Sequence, residues 1–250
     1  MDFPSRPLPL HFMSQNRPLD VVLIGAGGNG SELFDGLMRL HQGLIALGAI
    51  GLHVTVYDDD TVSPSNIVRQ RFWPHEIGLL KADALVQRTN MLMGTAWTSV
   101  PRRFDPARDR SGSLLITAVD NVATRQAIAQ AEAIGNPLWL DLGCDQKQGQ
   151  VVLGAQRDDQ LTDNLPNVVA HFPDVMERED DDRPSCSAAE SIRRQDLMIN
   201  SAVAGAAINL LWQAFRTAQI PFNGVMIDLA TGHTQAIPFM PVSVNMADDE

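Results

Sequence analysis

Apolar positions change their period several times along the chain, and each change marks an element. Leu19–Ile24 is a short run rich in β-branched residues that ends at Gly25. Leu33, Leu37, Leu40, Leu44 and Leu47 then recur at helical spacing through Ser31–Leu47. A strand, a tight turn and a helix are predicted. A second strand, His53–Tyr57, runs into Asp58, Asp59 and Asp60, after which Pro64 and Pro74 break up a polar loop ending near Gly78. A helix over Lys81–Met93, a strand over Thr98–Arg102, an apolar strand Leu114–Val119, a helix Val122–Ile134 and a strand Leu138–Leu142 continue the alternation of a parallel sheet.

Beyond Gly149 the pattern shifts. Gln150–Gly154 reads as a strand, and Arg157–Arg183 is polar and acidic, with Glu179, Asp180, Asp181 and Asp182 in succession. Residues 157–185 are expected to form an acidic, mobile crossover loop, since structureless stretches of this length signal either function or disorder. A helix over Ala188–Thr217 follows, then strands Val225–Leu229 and Thr234–Pro238. The apolar part of that helix, Leu197–Phe215, is interrupted by Asn200, Ser201, Asn209 and Gln213, which suits a buried helix better than a membrane span. The expected fold class is α/β: a Rossmann-like, doubly wound, mainly parallel sheet with a C-terminal helix and an antiparallel strand extension. One domain spans residues 1–250, with residues 1–18 as an irregular N-terminal arm.

Composition narrows the partners. A length of 250 residues, 44% of them hydrophobic, suffices for one sizeable core. A formal net charge of -11 disfavours nucleic acid and anionic membrane, both of which are bound through clustered Lys and Arg. The two cysteines, Cys144 and Cys186, form neither a disulfide framework nor a C-x-x-C pair, so no structural zinc is expected and a reducing, cytoplasmic setting fits. No apolar signal-peptide core opens the sequence. The six histidines are scattered without ligand spacing, which disfavours a histidine metal site and a Ser-His-Asp hydrolase.

Gly25, Gly27 and Gly30 form G-x-G-x-x-G between a predicted strand and a predicted helix, with Gly28 inside the motif. Such a loop lets the chain turn tightly and approach a phosphate, whose charge the helix N-terminal amides favour. Taken alone, it leaves dinucleotide, mononucleotide and purely structural readings open. Asp58, ending the second strand, can accept hydrogen bonds from both ribose hydroxyls, or can belong with Asp59 and Asp60 to a strand-end turn.

The stretch Ser63-Pro-Ser-Asn-Ile-Val-Arg-Gln-Arg-Phe72, with Gly78 and Lys81 downstream, resembles the S-x-x-N-x-x-R-Q-x-F and G-x-x-K motifs of the ThiF, MoeB and ubiquitin-activating-enzyme superfamily. Ala118, Val119, Asp120, Asn121 and Arg125 resemble its aspartate-asparagine motif. Arg183-Pro-Ser-Cys-Ser-Ala-Ala-Glu, Arg194-Gln-Asp-Leu and Ile199-Asn-Ser look like the ThiF-family member of the plasmid-borne PRTRC cassette. The resemblance implies ATP-dependent adenylation of the C-terminal glycine of a small ubiquitin-like protein, a homodimer formed through the C-terminal helix region, and, for the narrower match, a bacterial mobile-element setting.

In that chemistry a carboxylate attacks the α-phosphate while pyrophosphate leaves, so negative charge accumulates. Arg69 and Lys81 are suited to hold the triphosphate, Asn66 to add an uncharged donor, and Asp120 to bind Mg2+ through oxygen or else to cap the next helix. Gln70 and Asn121 fall within the matched motifs, and Arg125 reads as structural. Cys186, near a helix start and Arg183, is a candidate thioester cysteine. Cys144 reads as a small buried core residue. The resemblance also implies an N-terminal arginine, Arg6 or Arg17 here, that reaches across a dimer to the partner's ATP. Two alternatives remain: an NAD-dependent oxidoreductase, and a non-catalytic ATP-binding interaction module.

Overall fold

The structure, a computed structural model, describes residues 5–9, 12, 16–132, 137–157, 165–173 and 195–239. In chain order the elements are β1 (Arg6–Pro7), β2 (Leu19–Ile24), α1 (Gly28–Ala46), β3 (Leu52–Tyr57), α2 (Lys81–Met93), β4 (Thr98–Val100), β5 (Leu114–Thr117), α3 (Val122–Gln130), β6 (Leu138–Cys144) and β7 (Gln148–Ala155). Then come α4 (Val168–His171), α5 (Ile199–Thr217), β8 (Gln219–Ile220), β9 (Gly224–Asp228) and β10 (His233–Ile237).

Eight strands form one sheet in the order β10-β9-β7-β6-β5-β2-β3-β4. The pairs from β4 through β6 are parallel, and β7, β9 and β10 extend the sheet antiparallel. The expected mainly parallel sheet with an antiparallel extension is therefore present. Ile24 at the end of β2 stands opposite both Tyr57 of β3 and Thr117 of β5. After β2 the chain winds toward β4 and then returns to the other side of β2 as β5, so a topological switch point lies at these carboxyl ends. Ligands of open α/β sheets collect in such crevices.

The central strands are buried on both faces, which is why Val21, Leu23, Val54, Val56, Leu114 and Ile116 read as continuous apolar runs. Helices α1 and α5 approach closely because α1 carries glycine where α5 presents bulk. A Cβ on Gly36 would lie 2.3 Å from Cγ1 of Ile208, and one on Gly43 would lie 3.2 Å from the Trp212 ring.

Several boundaries differ from expectation for physical reasons. The β6 strand runs on to Cys144 because it forms a hairpin with β7, Cys144 facing Gly149. Helix α1 starts at Gly28, inside the glycine motif. Helix α5 starts at Ile199, after a turn at 197–198, and residues 188–194 lie outside the described ones.

Within the arm expected over residues 1–18, several of the described residues are docked. There β1 pairs with β8, and Leu8 and Phe12 enter the core, the Phe12 ring 6.3 Å from that of Phe215. Within the expected acidic loop, residues 165–173 are docked: Leu165 and Val168 are buried, and Asn167 caps α4 through Val169 N and Ala170 N. Residues 174–185 lie outside the described ones. Among the described residues, no helix is long and apolar enough to cross a membrane.

Candidate functional site

The glycine motif folds tightly onto the end of β5. Gly25 has φ of +92°, and a Cβ there would lie 2.7 Å from the Ala118 carbonyl oxygen; one on Gly30 would lie 1.9 Å from the Gly25 carbonyl oxygen. A side chain at either position would force the loop off the sheet. Gly27, the N-cap of α1, faces open space, with nothing within 4 Å of a built Cβ. Among the described residues no side-chain hydrogen bond caps α1, so its N-terminal amides suit an anion.

Asp58 joins this loop to the neighbouring strand end. Its Oδ2 accepts from Ala26 N at 2.6 Å, and its Oδ1 accepts from Asp60 N at 2.9 Å. Burial pushes its carboxyl above the usual range, with Lys81 and the two amides pulling the other way. Lys81 opens α2; its buried ammonium donates to Asp60 Oδ2 at 2.7 Å, which assigns Asp60 a partner the sequence did not suggest. Asp59 points elsewhere and pairs with Arg103 at 3.0 Å.

The loop over residues 63–72 is pinned at its start and at its end. Asn66 Oδ1 accepts from Ser63 N at 2.8 Å, and its carbonyl accepts from Arg69 N and Gln70 N, so Asn66 shapes the turn that presents Arg69. Arg71 fastens the loop to α1: its amide donates to Ser31 Oγ at 3.0 Å and its Nε to Glu32 at 3.1 Å. Arg69 donates to Gln195 Oε1. Burial lowers its pKa, yet a guanidinium stays cationic at neutral pH. Gln70 Oε1 is buried and has no hydrogen-bond partner among the described residues.

A family model described as the ThiF family matches residues 9–245. The chain belongs to the ThiF family. Two curated relatives are ubiquitin-like modifier-activating enzyme 5 from Oryza sativa subsp. japonica, 26% identical over 145 residues, and from Arabidopsis thaliana, 28% identical over 148 residues. Each match covers 51% of this chain and 32% of the relative, so the chain matches about a third of their length. Among solved structures, E. coli MccB with MccA has a TM-score of 0.55 at 13% identity, covering 91% of this chain and 66% of that one. PaaA has a TM-score of 0.56 at 14% identity, covering 90% and 65%. These likenesses show a shared fold.

In this ThiF-family chain Asp120 is exposed, two residues past Ala118, whose carbonyl packs against Gly25. The helix cap is Asn121 instead, accepting from Thr124 N at 2.9 Å. Arg125 is buried and structural: it holds Asp141 Oδ1 at 2.8 Å and the Val119 carbonyl at 2.8 Å, while Thr117 Oγ1 donates to the same Asp141 oxygen. Arg6 lies over the Phe239 ring beside the C-terminal end of α5, and Arg17 is exposed ahead of β2; neither approaches the glycine loop of its own chain. Cys186 lies outside the described residues.

Cys144 packs against the core as expected, but at its polar margin. It is half-buried at the carboxyl end of β6 among polar groups, its Sγ 3.5 Å from Asn29 Oδ1 and 3.4 Å from Asn200 Oδ1, accepting from Gln195 Nε2 at 3.3 Å. Burial pushes the thiol pKa up, against the opposing pull of Asn29, Arg69 and Gln195, which makes it a poor nucleophile. Asn29, Cys144, Gln195 and Asn200 thus form a polar floor beside the glycine loop. The available signals were faint: Asn29 is a variable position of the motif, and Asn200 is a polar break in an apolar helix.

Proposed function

We propose that the chain catalyses Mg-ATP-dependent adenylation of the C-terminal glycine carboxylate of a small ubiquitin-like protein. The observation that carries the reading is the convergence at the switch point of a helix N-terminus without a side-chain cap among the described residues, the carboxylate of Asp58 and the cations of Lys81 and Arg69. Membership of the ThiF family and relatives named as ubiquitin-like modifier-activating enzymes support it. So does a fold neighbour solved with ATP, MccB.

Each group has a physical task. Asp58, ionised, accepts from the ribose hydroxyls while keeping its loop amides, since each carboxylate oxygen has two lone pairs. The partner of Lys81, Asp60, has a side chain 67% exposed. Turning from Asp60 to a phosphate exchanges one anionic partner of the buried Lys81 ammonium for another, and leaves the exposed Asp60 carboxylate to water. Arg69 adds a forked cation against charge developing on the phosphates.

Mg2+ typically needs only one or two protein carboxylates beside substrate phosphates and water, so the single exposed Asp120 fits it, although no cluster of three or more ligating groups exists among the described residues. When bound, the ion neutralises the leaving pyrophosphate. The acceptor carboxylate attacks the α-phosphorus, the bond to pyrophosphate breaks, and an acyl-adenylate remains. We extend the proposal to Cys186: its thiolate takes the acyl group and AMP leaves. Native protein in which iodoacetamide fails to label Cys186 overturns that extension. The PRTRC resemblance directs the search for the partner to a small ubiquitin-like protein encoded beside this chain, in the bacterial cytoplasm, with the enzyme acting as a homodimer.

The decisive test compares melting temperatures with Mg-ATP and with NAD, for wild type and Asp120→Ala, followed by pyrophosphate exchange with the glycine-ended partner. A ligand at 100 times its Kd stabilises the fold by about 2.7 kcal/mol. Stabilisation by Mg-ATP, weakened by the substitution, and partner-dependent exchange are expected. Stabilisation by NAD alone indicates an oxidoreductase, and ATP binding without exchange indicates an interaction module; either sinks the proposal.

A further inference from the structure

Asn200 is the second residue of α5 and is 1% exposed. Its Oδ1 faces the Cys144 thiol, but its Nδ2 has no hydrogen-bond partner among the described residues. A buried amide nitrogen without an acceptor is costly, and each such group in a native fold calls for an account.

Its direction supplies one. A Cβ built on Gly28 would lie 2.6 Å from Nδ2 and 2.7 Å from Cγ and Oδ1 of Asn200. The carboxamide therefore fills the space left by the missing side chain of Gly28, directly against the first turn of α1. That turn follows the glycine motif and has no side-chain cap, so it attracts an anion in its own right. Arg69 reaches the same floor through Gln195, which also donates to Cys144. An unsatisfied donor and an anion-attracting helix end thus meet at one residue.

We propose that Asn200 is a binding residue of the nucleotide site, its Nδ2 donating a hydrogen bond to a phosphate oxygen of the bound nucleotide at the N-terminus of α1. The inference rests on the nucleotide reading above and deepens it. It also explains Gly28, which gives up its side chain to admit the donor. The loop thereby gains a neutral hydrogen-bond donor from a helix 170 residues downstream.

The test is calorimetric titration of adenosine, AMP and Mg-ATP into wild type, Asn200→Ala, Asn200→Asp and Gly28→Ala, with melting curves to establish folding. Asn200→Asp is nearly isosteric, keeps an acceptor for Cys144 and sets a carboxylate against the phosphate. A lost hydrogen bond to a charged group weakens AMP and ATP about ten- to a hundredfold, with adenosine unchanged. Asn200→Asp loses more than Asn200→Ala, and Gly28→Ala, whose methyl displaces the amide, shows the same selective loss. Folded variants that bind AMP and ATP within about twofold of wild type overturn the inference, as does an equal loss for adenosine, which marks collapse of the loop. Wild type that binds none of the three refutes the nucleotide reading itself, an outcome distinct from wild type that binds and variants that match it.

Discussion

Asp58 is held between two demands. Its burial favours the neutral acid, while the proposed ribose role and the two amide donors need the carboxylate. Because its folded pKa is raised, the folded state holds a proton that the unfolded chain releases near the ordinary value of 3.8. Its favourable contribution is complete below that value and is lost as pH rises through the folded pKa. Wild type should therefore lose melting temperature relative to Asp58→Asn as pH rises above about 4. Over the same range its ATP affinity should rise as the carboxylate forms, measured by titration at successive pH values. Arg125 illustrates a different balance. It pairs with Asp141, whose side chain is 1% exposed and whose Oδ2 already has no partner among the described residues. Arg125→Ala strands that charge and should cost about 3–5 kcal/mol in chemical denaturation. Arg125→Ala combined with Asp141→Leu should recover part of the loss. Both residues of this pair stand at readable positions, yet only Arg125 lay in a recognisable motif.

At the scale of elements, the glycine motif separates folding from binding. Gly30→Ala drives a methyl into a backbone oxygen, so it should lower both stability and ATP affinity. Gly27→Ala meets open space and should leave stability within about 0.5 kcal/mol of wild type, while crowding the phosphates and weakening ATP. Denaturation and titration of the pair distinguish these roles. The N-terminal arm carries a further prediction: Phe12→Ala should cost about 3–5 kcal/mol, where a loose arm would cost nothing. Elements with a full period were legible. Leu19–Ile24 and Lys81–Met93 match their strand and helix residue for residue because glycine or a period shift marks each end. The arm was not, since Leu8 and Phe12 are too sparse to reveal a period and their partners, Ala218 and Phe215, lie some two hundred residues away.

The whole molecule arranges its site by topology. Asp58 was picked out as the end of a predicted strand, and Arg69 and Lys81 by the motifs they lie in; the structure brings all three near the glycine loop. Gln195 and Asn200 lie in segments matched by resemblance and Cys144 at a strand end, but nothing local announces that α5 passes beneath that loop, so their place at the site was not read. The sheet has the same division. Its parallel half completes itself from residues 19–144, but β7 waits for β9, and the Gln148 side chain bonds Asp228 across 80 positions. Closing so long a loop before any contact repays it is slow. During synthesis, therefore, the strands that frame the crevice emerge well before the helix that floors it. A nascent chain lacking Ile199–Thr217 displays the glycine loop without Asn200 beneath it, and with the apolar flank of α1 bare. On the proposed reading, nucleotide competence is acquired late, at the same moment as that flank is covered, so an incomplete polypeptide carries an open hydrophobic surface and lacks the proposed phosphate donor.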